Sequence, residues 1–118
     1  MSQSLLLTIA RRSIEEVLQA ENTIDREQLL GEYPILSQVM ATQVNLYLDD
    51  ELRGSARSET PSLPLLDDII RNAKIAAFQD ERFPPLITSE YLRLSIELIL
   101  YAPDGPLSHR DTPILKEP

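Results

Sequence analysis

The chain has 118 residues, of which 42% are hydrophobic, and 19 acidic against 11 basic residues give a formal net charge of −8. That length and apolar content match one domain with its own core rather than a disordered chain. With no cysteine, disulfides, a thiolate nucleophile and cysteine-ligated zinc or iron are excluded, and the negative charge disfavours binding to nucleic acid or to an anionic membrane surface.

From the N-terminus, Leu6, Ala10, Ile14, Val17 and Leu18 recur on one stripe, with Arg11, Arg12, Glu15, Glu16 and Gln19 outside it. This spacing predicts an amphipathic helix over residues 4–21. The apolar run Ser4 to Ala10 is followed by Arg11 and Arg12 and has no signal-peptide frame, so it reads as the start of that helix. No apolar stretch approaches the ~18 residues a membrane span needs, and a cytoplasmic protein is expected. Asp25 followed by Gln28 resembles a capping box opening a short second helix, which Pro34 ends.

From Gln43 the period changes to two: Val44, Leu46 and Leu48 alternate with Gln43, Asn45 and Tyr47. Asp49, Asp50 and Glu51 make a polar turn, and Leu52, Gly54 and Ala56 then alternate with Arg53, Ser55 and Arg57, predicting a β-hairpin. Pro64 is suited to a helix entry. Leu66, Ile69, Ile70, Ala73, Ala76 and Ala77 follow at helical spacing to about Gln79, with Asp67, Asp68, Arg71 and Lys74 outward. After Pro84–Pro85, Thr88 caps one helical turn ahead of a strand from Leu94 to Tyr101. Leu94, Ile96, Leu98 and Leu100 line one face of it, while Ile99 and Tyr101 make the other partly apolar; such a strand is covered twice, by the fold or by a partner. Asp104 and Gly105 turn the chain, and residues 106–118, with three prolines, read as an extended tail beyond a single domain at 1–105. The fold class expected is α+β, with amphipathic helices packed on a small, mainly antiparallel sheet.

The run Asn72-Ala73-Lys74-Ile75-Ala76-Ala77-Phe78-Gln79-Asp80-Glu81-Arg82-Phe83-Pro84-Pro85 is long and specific. It resembles the signature of the AMMECR domain family, also called AmmeMemoRadiSam system protein A. Leu52-Arg53-Gly54 resembles the start of that family's Leu-Arg-Gly-Cys-Ile-Gly motif, and the hairpin before it and the strand from Leu94 match in order. The resemblance implies an α+β fold and a genomic link to radical-chemistry and Memo proteins, and no particular reaction. Two departures stand out. Ser55, Ala56 and Arg57 occupy the places of the motif's Cys, Ile and Gly, and the thiolate expected for any chemistry is absent. The family domain also continues for several dozen residues, so this chain resembles a shortened member.

Arg53 and Arg57, on one strand face with Ser55 and near the N-terminus of the helix after Pro64, form a candidate anion pocket, to which Arg82 could add a carboxylate clamp. The competing reading pairs these arginines with local acids: Arg53 and Arg57 with Glu51 and Glu59, and Arg82 with Asp80. Ser55 as a nucleophile would need a base, and the single histidine, His109, lies in the Pro-rich end. Asp49, Asp50 and Glu51 lack calcium-loop spacing and read as a solvated turn. No metal or cofactor is expected. Two functions from different classes compete. One is a non-catalytic interaction module that pairs with itself or another protein through Leu94, Ile96, Leu98, Ile99 and Tyr101. The other is an enzyme or enzyme accessory that holds a small anionic ligand at Arg53, Ser55, Arg57 and Arg82.

Overall fold

The computed structural model describes residues 5–115. Helix α1, Leu5–Gln19, turns Leu7, Ile9, Ala10 and Ile14 inward. The stripe is rotated from the one expected: Val17 is 45% exposed, whereas Arg11 and Glu16 are buried. Both charges are compensated. Glu16 accepts from the Thr23 and Ile24 amides at 2.7 and 2.9 Å and from Lys74 at 3.1 Å. Helix α2, Arg26–Glu32, begins as expected with the Asp25 side chain accepting from the Gln28 amide at 3.1 Å. The reciprocal half of the box is missing, because the Gln28 side chain turns to Glu32 instead. A 3-10 turn at Pro34–Ser37 leads into the sheet.

Strands β1, Ala41–Leu48, and β2, Glu51–Arg57, form the expected hairpin. Its two-residue turn places Asp49 and Asp50 at φ of 53° and 65°, a left-handed pair that small polar residues tolerate. Helix α3, Leu65–Phe78, crosses β1 and β2 and packs on α1. The short helix α4, Thr88–Arg93, feeds β3, Leu94–Ala102. The chain then turns at Pro103 and Asp104 into β4, Gly105–Arg110. Four antiparallel strands thus form one sheet in the order β2-β1-β3-β4, an α+β fold.

Part of the segment expected as an extended tail is therefore an integral strand, and its end is anchored. Asp111 takes a bidentate contact from buried Arg11 at 2.8 and 3.1 Å and accepts from the Ile96 amide at 2.7 Å. The helices lie on one face of the sheet. There α1 and α3 meet Val44 and Leu46 of β1 and Leu94, Ile96 and Leu98 of β3 to make the core. Each fully buried Leu or Ile there contributes about 1.5–3 kcal/mol of apolar transfer. These three β3 residues are consequently not available to a partner, contrary to their expected place in an interface: β3 is an inner strand, and its apolar face is sealed within the chain.

Candidate functional site

The register between β1 and β2 shifts at Leu46/Tyr47: Leu46 pairs with Gly54 and Tyr47 with Leu52, leaving Arg53 as the extra residue of a bulge. Gly54 explains the location. A β-carbon there would collide with the Ala76 carbonyl oxygen of α3, so helix and strand approach closely only at a glycine. The bulge breaks the expected alternation and separates Arg53 from the face that carries Ser55 and Arg57.

Arg53 is 7% exposed. Its Nε and Nη2 donate to the two Glu90 oxygens at 3.0 and 2.9 Å, and Nη2 also donates to the Pro84 carbonyl at 2.8 Å. Buried Nη1 has no hydrogen-bond partner among the described residues. The Arg53 hydrogen bonds hold the Glu90 carboxyl below its ordinary range, against the opposing effect of burial. Across the same loop, Asp80 accepts from Arg82 Nε at 3.0 Å and Nη2 at 2.7 Å, and from the Ser55 amide at 3.0 Å. Hydrogen bonds from Arg82 are the main cause that holds Asp80 down at about 2. The Phe83 ring lies under both guanidiniums, 5.5 Å from Arg53 and 5.4 Å from Arg82.

The structure thus gathers Arg53, the Ser55 backbone and Arg82 around Asp80, Phe83 and Glu90. What it gathers is an ion-paired cluster that closes the loop after α3 against β2. Arg57 stands apart, exposed at the end of β2 opposite Gln43. The Arg82–Asp80 pairing is the one expected from local acids. For Arg53 the acid is Glu90, 37 residues away in sequence, which no local reading could supply.

The Ser55 hydroxyl donates to Asn45 Oδ1 at 2.7 Å. It joins a polar network across the sheet face opposite the helices. Asn45 and Tyr47 donate to Glu97 Oε1 at 2.9 and 3.0 Å, Ser108 donates to Glu97 Oε2 at 3.2 Å, and Tyr101 donates to Gln43 at 2.6 Å. The Asn45 donation leads the causes that hold Glu97 below its ordinary range, while burial raises the Tyr47 hydroxyl. Ser55 has an amide oxygen as its partner where a nucleophile needs a base. His109 is on β4, and β1 and β3 stand between β2 and β4. Ile99 and Tyr101, the other expected interface residues, are half-buried on this face.

Sequence reasoning missed the most deeply buried acid. Asp68, expected on the outer face of α3, has no exposed surface. Its carboxylate accepts from the Thr42 amide at 2.8 Å, the Thr42 hydroxyl at 2.7 Å, Ser58 at 2.6 Å and Asn72 at 3.2 Å. The available signal was that Asp68 and Asn72, four apart, border the apolar stripe and so share a face. Among the described residues no group of three His, Asp or Glu side chains could hold a metal ion, and no helix is long and apolar enough to cross a membrane.

The chain matches proteins from several archaea. A protein of Thermococcus onnurineus is 33% identical over 114 residues, covering 89% of this chain and 55% of its own length. One of Thermofilum pendens is 28% identical over 116 residues, covering 91% and 54%. The crystal structure of the uncharacterized protein PH0010 from Pyrococcus horikoshii superposes with a TM-score of 0.72 at 31% identity, covering 83% of this chain and 50% of that one. The chain therefore spans about half the length of these relatives. The AMMECR1 family profile matches residues 7–113, and by that match the chain belongs to the AMMECR1 family.

Proposed function

We propose that this domain is a non-catalytic interaction module that pairs with a second copy of itself along β4. The observation that carries this reading is the difference between the two sheet edges. On β2, the Ser55 amide is taken by Asp80. On β4, the alternation of the antiparallel ladder turns the backbone groups of Ser108 and Arg110 away from β3. Pro106, at the third such position, has no N–H to leave unpaired, which suits an edge. An exposed edge of this kind is a template for strand addition.

Charge permits a second copy as the occupant. In a chain of net charge −8, β4 carries Arg110, His109 and no acid, so two β4 strands meet without opposed carboxylates. Leu107, exposed at 54%, would lie beside the two-fold axis and lose water there. Sedimentation equilibrium across a wide concentration range tests the reading. A reversible dimer is expected, and Leu107→Lys, at a site outside the core, should shift it to monomer by placing two ammonium groups together. A strictly monomeric profile up to about 1 mM, the weakest affinity that would matter, would sink it, as would a dimer indifferent to Leu107→Lys.

A further inference from the structure

Helices α1 and α2 leave a cavity of about 230 Å³ between them. Helical spacing puts Leu5, Ile9 and Arg12 on one face of α1, and Asp25, Leu29 and Glu32 on one face of α2 and its cap. Those two faces are the walls of the cavity, and Ile24 and Tyr33 line it from the segments flanking α2. Its apolar lining is the less exposed part: Ile9 is buried, and Leu5, Ile24 and Leu29 are half-buried. Helix α2 buries no residue fully, and Tyr33 is 41% exposed, so this wall still has apolar surface to lose to a ligand.

The charged groups stand at the exposed rim. Gln28 sets the positions of both acids: its backbone amide donates to Asp25 Oδ1 at 3.1 Å, and its side-chain Nε2 donates to Glu32 Oε1 at 3.0 Å. Asp25 Oδ2 and Glu32 Oε2 take no hydrogen bond from the described residues, and neither carboxylate is ion-paired among them. Arg12, on the α1 wall, is exposed and likewise forms no ion pair with the described residues. Its long stem lets the guanidinium turn to water. Two positioned carboxylates against one cation on a flexible stem, in a chain of net charge −8, give the rim a negative potential.

We propose that this cavity binds a small apolar primary amine, its ammonium at Asp25 and Glu32 and its hydrocarbon body against Ile9, Ile24 and Leu29. Size selects the body. A cavity of about 150 Å³ suffices for one benzene ring, and drug-sized sites begin at about 300 Å³, so a ring with a two-carbon arm fits. None of the lining residues belongs to β4, so failure here would leave the proposed pairing untouched. The two acids can be neutralised without disturbing α2: Asp25→Asn keeps a side-chain oxygen suited to the cap, and Glu32→Gln keeps an acceptor for Gln28.

The test is an amide NMR titration of the chain at low salt with phenethylamine, its neutral isostere phenethyl alcohol, its anionic counterpart hydrocinnamate, and L-phenylalaninamide. Phenethylamine is expected to shift the Ile9 and Leu29 amides and to bind about fivefold more tightly than the alcohol, the worth of one or two partly exposed ion pairs. The tighter of phenethylamine and L-phenylalaninamide distinguishes a free amine from the N-terminus of a peptide. Asp25→Asn with Glu32→Gln should remove the advantage over the alcohol and leave the alcohol's own affinity unchanged, while Arg12→Gln should bind the amine at least as well. The proposal is overturned if the amine shifts neither amide at about 50 mM, far weaker than a useful site, or if the alcohol binds equally well. It is also overturned if hydrocinnamate binds more tightly, if the double variant keeps the amine's full advantage, or if Arg12→Gln weakens amine binding.

Discussion

At Gly54 and Gly31 the same substitution should have opposite signs. An added β-carbon at Gly54 runs into the Ala76 carbonyl, which is backbone and cannot rotate away. Gly54→Ala must push α3 off β2, and overpacking of this kind costs about 1–3 kcal/mol. At Gly31, inside α2, the same carbon meets nothing within 4 Å, and Gly31→Ala should stabilise by roughly 0.5–1 kcal/mol through helix propensity. Urea midpoints for the two variants, moving in opposite directions, check both. Asp68 makes a third residue-scale case. Asp68→Ala strands the Thr42 amide and hydroxyl, Ser58 and Asn72 in a buried site. Hydrogen bonds to a charged group are worth about 1.5–3 kcal/mol each and leaving donors unmade adds to the loss, so a fall of about 3 kcal/mol in unfolding free energy is expected. A loss no larger than that of Asp104→Ala, in the exposed turn between β3 and β4, would refute the hub assignment.

At the scale of elements, the loop from Gln79 to Ile87 is tied to β2 by Asp80 and to α4 through Arg53 and Glu90. Asp80 titrates at about 2 in the folded chain against an ordinary 3.8. A depressed folded value means the contribution is fully present above the unfolded pKa and is lost as pH falls through the folded one. Stability should therefore decline between about pH 4 and pH 2, with Glu90 and Glu97, also lowered, adding to the same acid slope. Asp80→Asn should flatten that decline in urea unfolding measured from pH 5 downward; an unchanged slope would show that the clamp does not couple to folding. This loop also shows what the sequence could and could not reveal. The hairpin and α3 were legible because alternation and helical spacing are local. The bulge was not, since alternation assumes a regular ladder and the strand glycine was the only hint of departure. The Arg53–Glu90 pairing lay beyond reach because it joins residues that only the completed fold brings together.

At the scale of the whole molecule, the sheet closes through a contact between the two ends of the described chain. Composition pointed to a tail from residue 106, since three prolines in thirteen residues suggest no regular structure. Pro106 is nonetheless compatible with an outer strand, and Leu107 and His109 complete the ladder with Leu100 and Leu98. Arg11 then fixes the strand's end, reaching Asp111 and donating to the Leu94 carbonyl at 2.7 Å, with its guanidinium 5.2 Å from the Tyr91 ring centre. Burying that pair carries a desolvation cost comparable to its attraction, so its removal as a unit and its breakage are different experiments. Asp111→Ala leaves a buried guanidinium uncompensated and should destabilise by about 3–5 kcal/mol. Arg11→Met with Asp111→Ala removes both charges, though the Ile96 amide still loses its acceptor, and should recover more than half of that loss. Amide exchange at Leu107 and His109, whose N–H groups face β3, reads out where the energy goes: both should lose protection in the single variant before the α1–α3 core does. Uniform loss across sheet and helices would instead mean that β4 and the core unfold as one cooperative unit, and that the contact between Arg11 and Asp111 stabilises the whole domain at once.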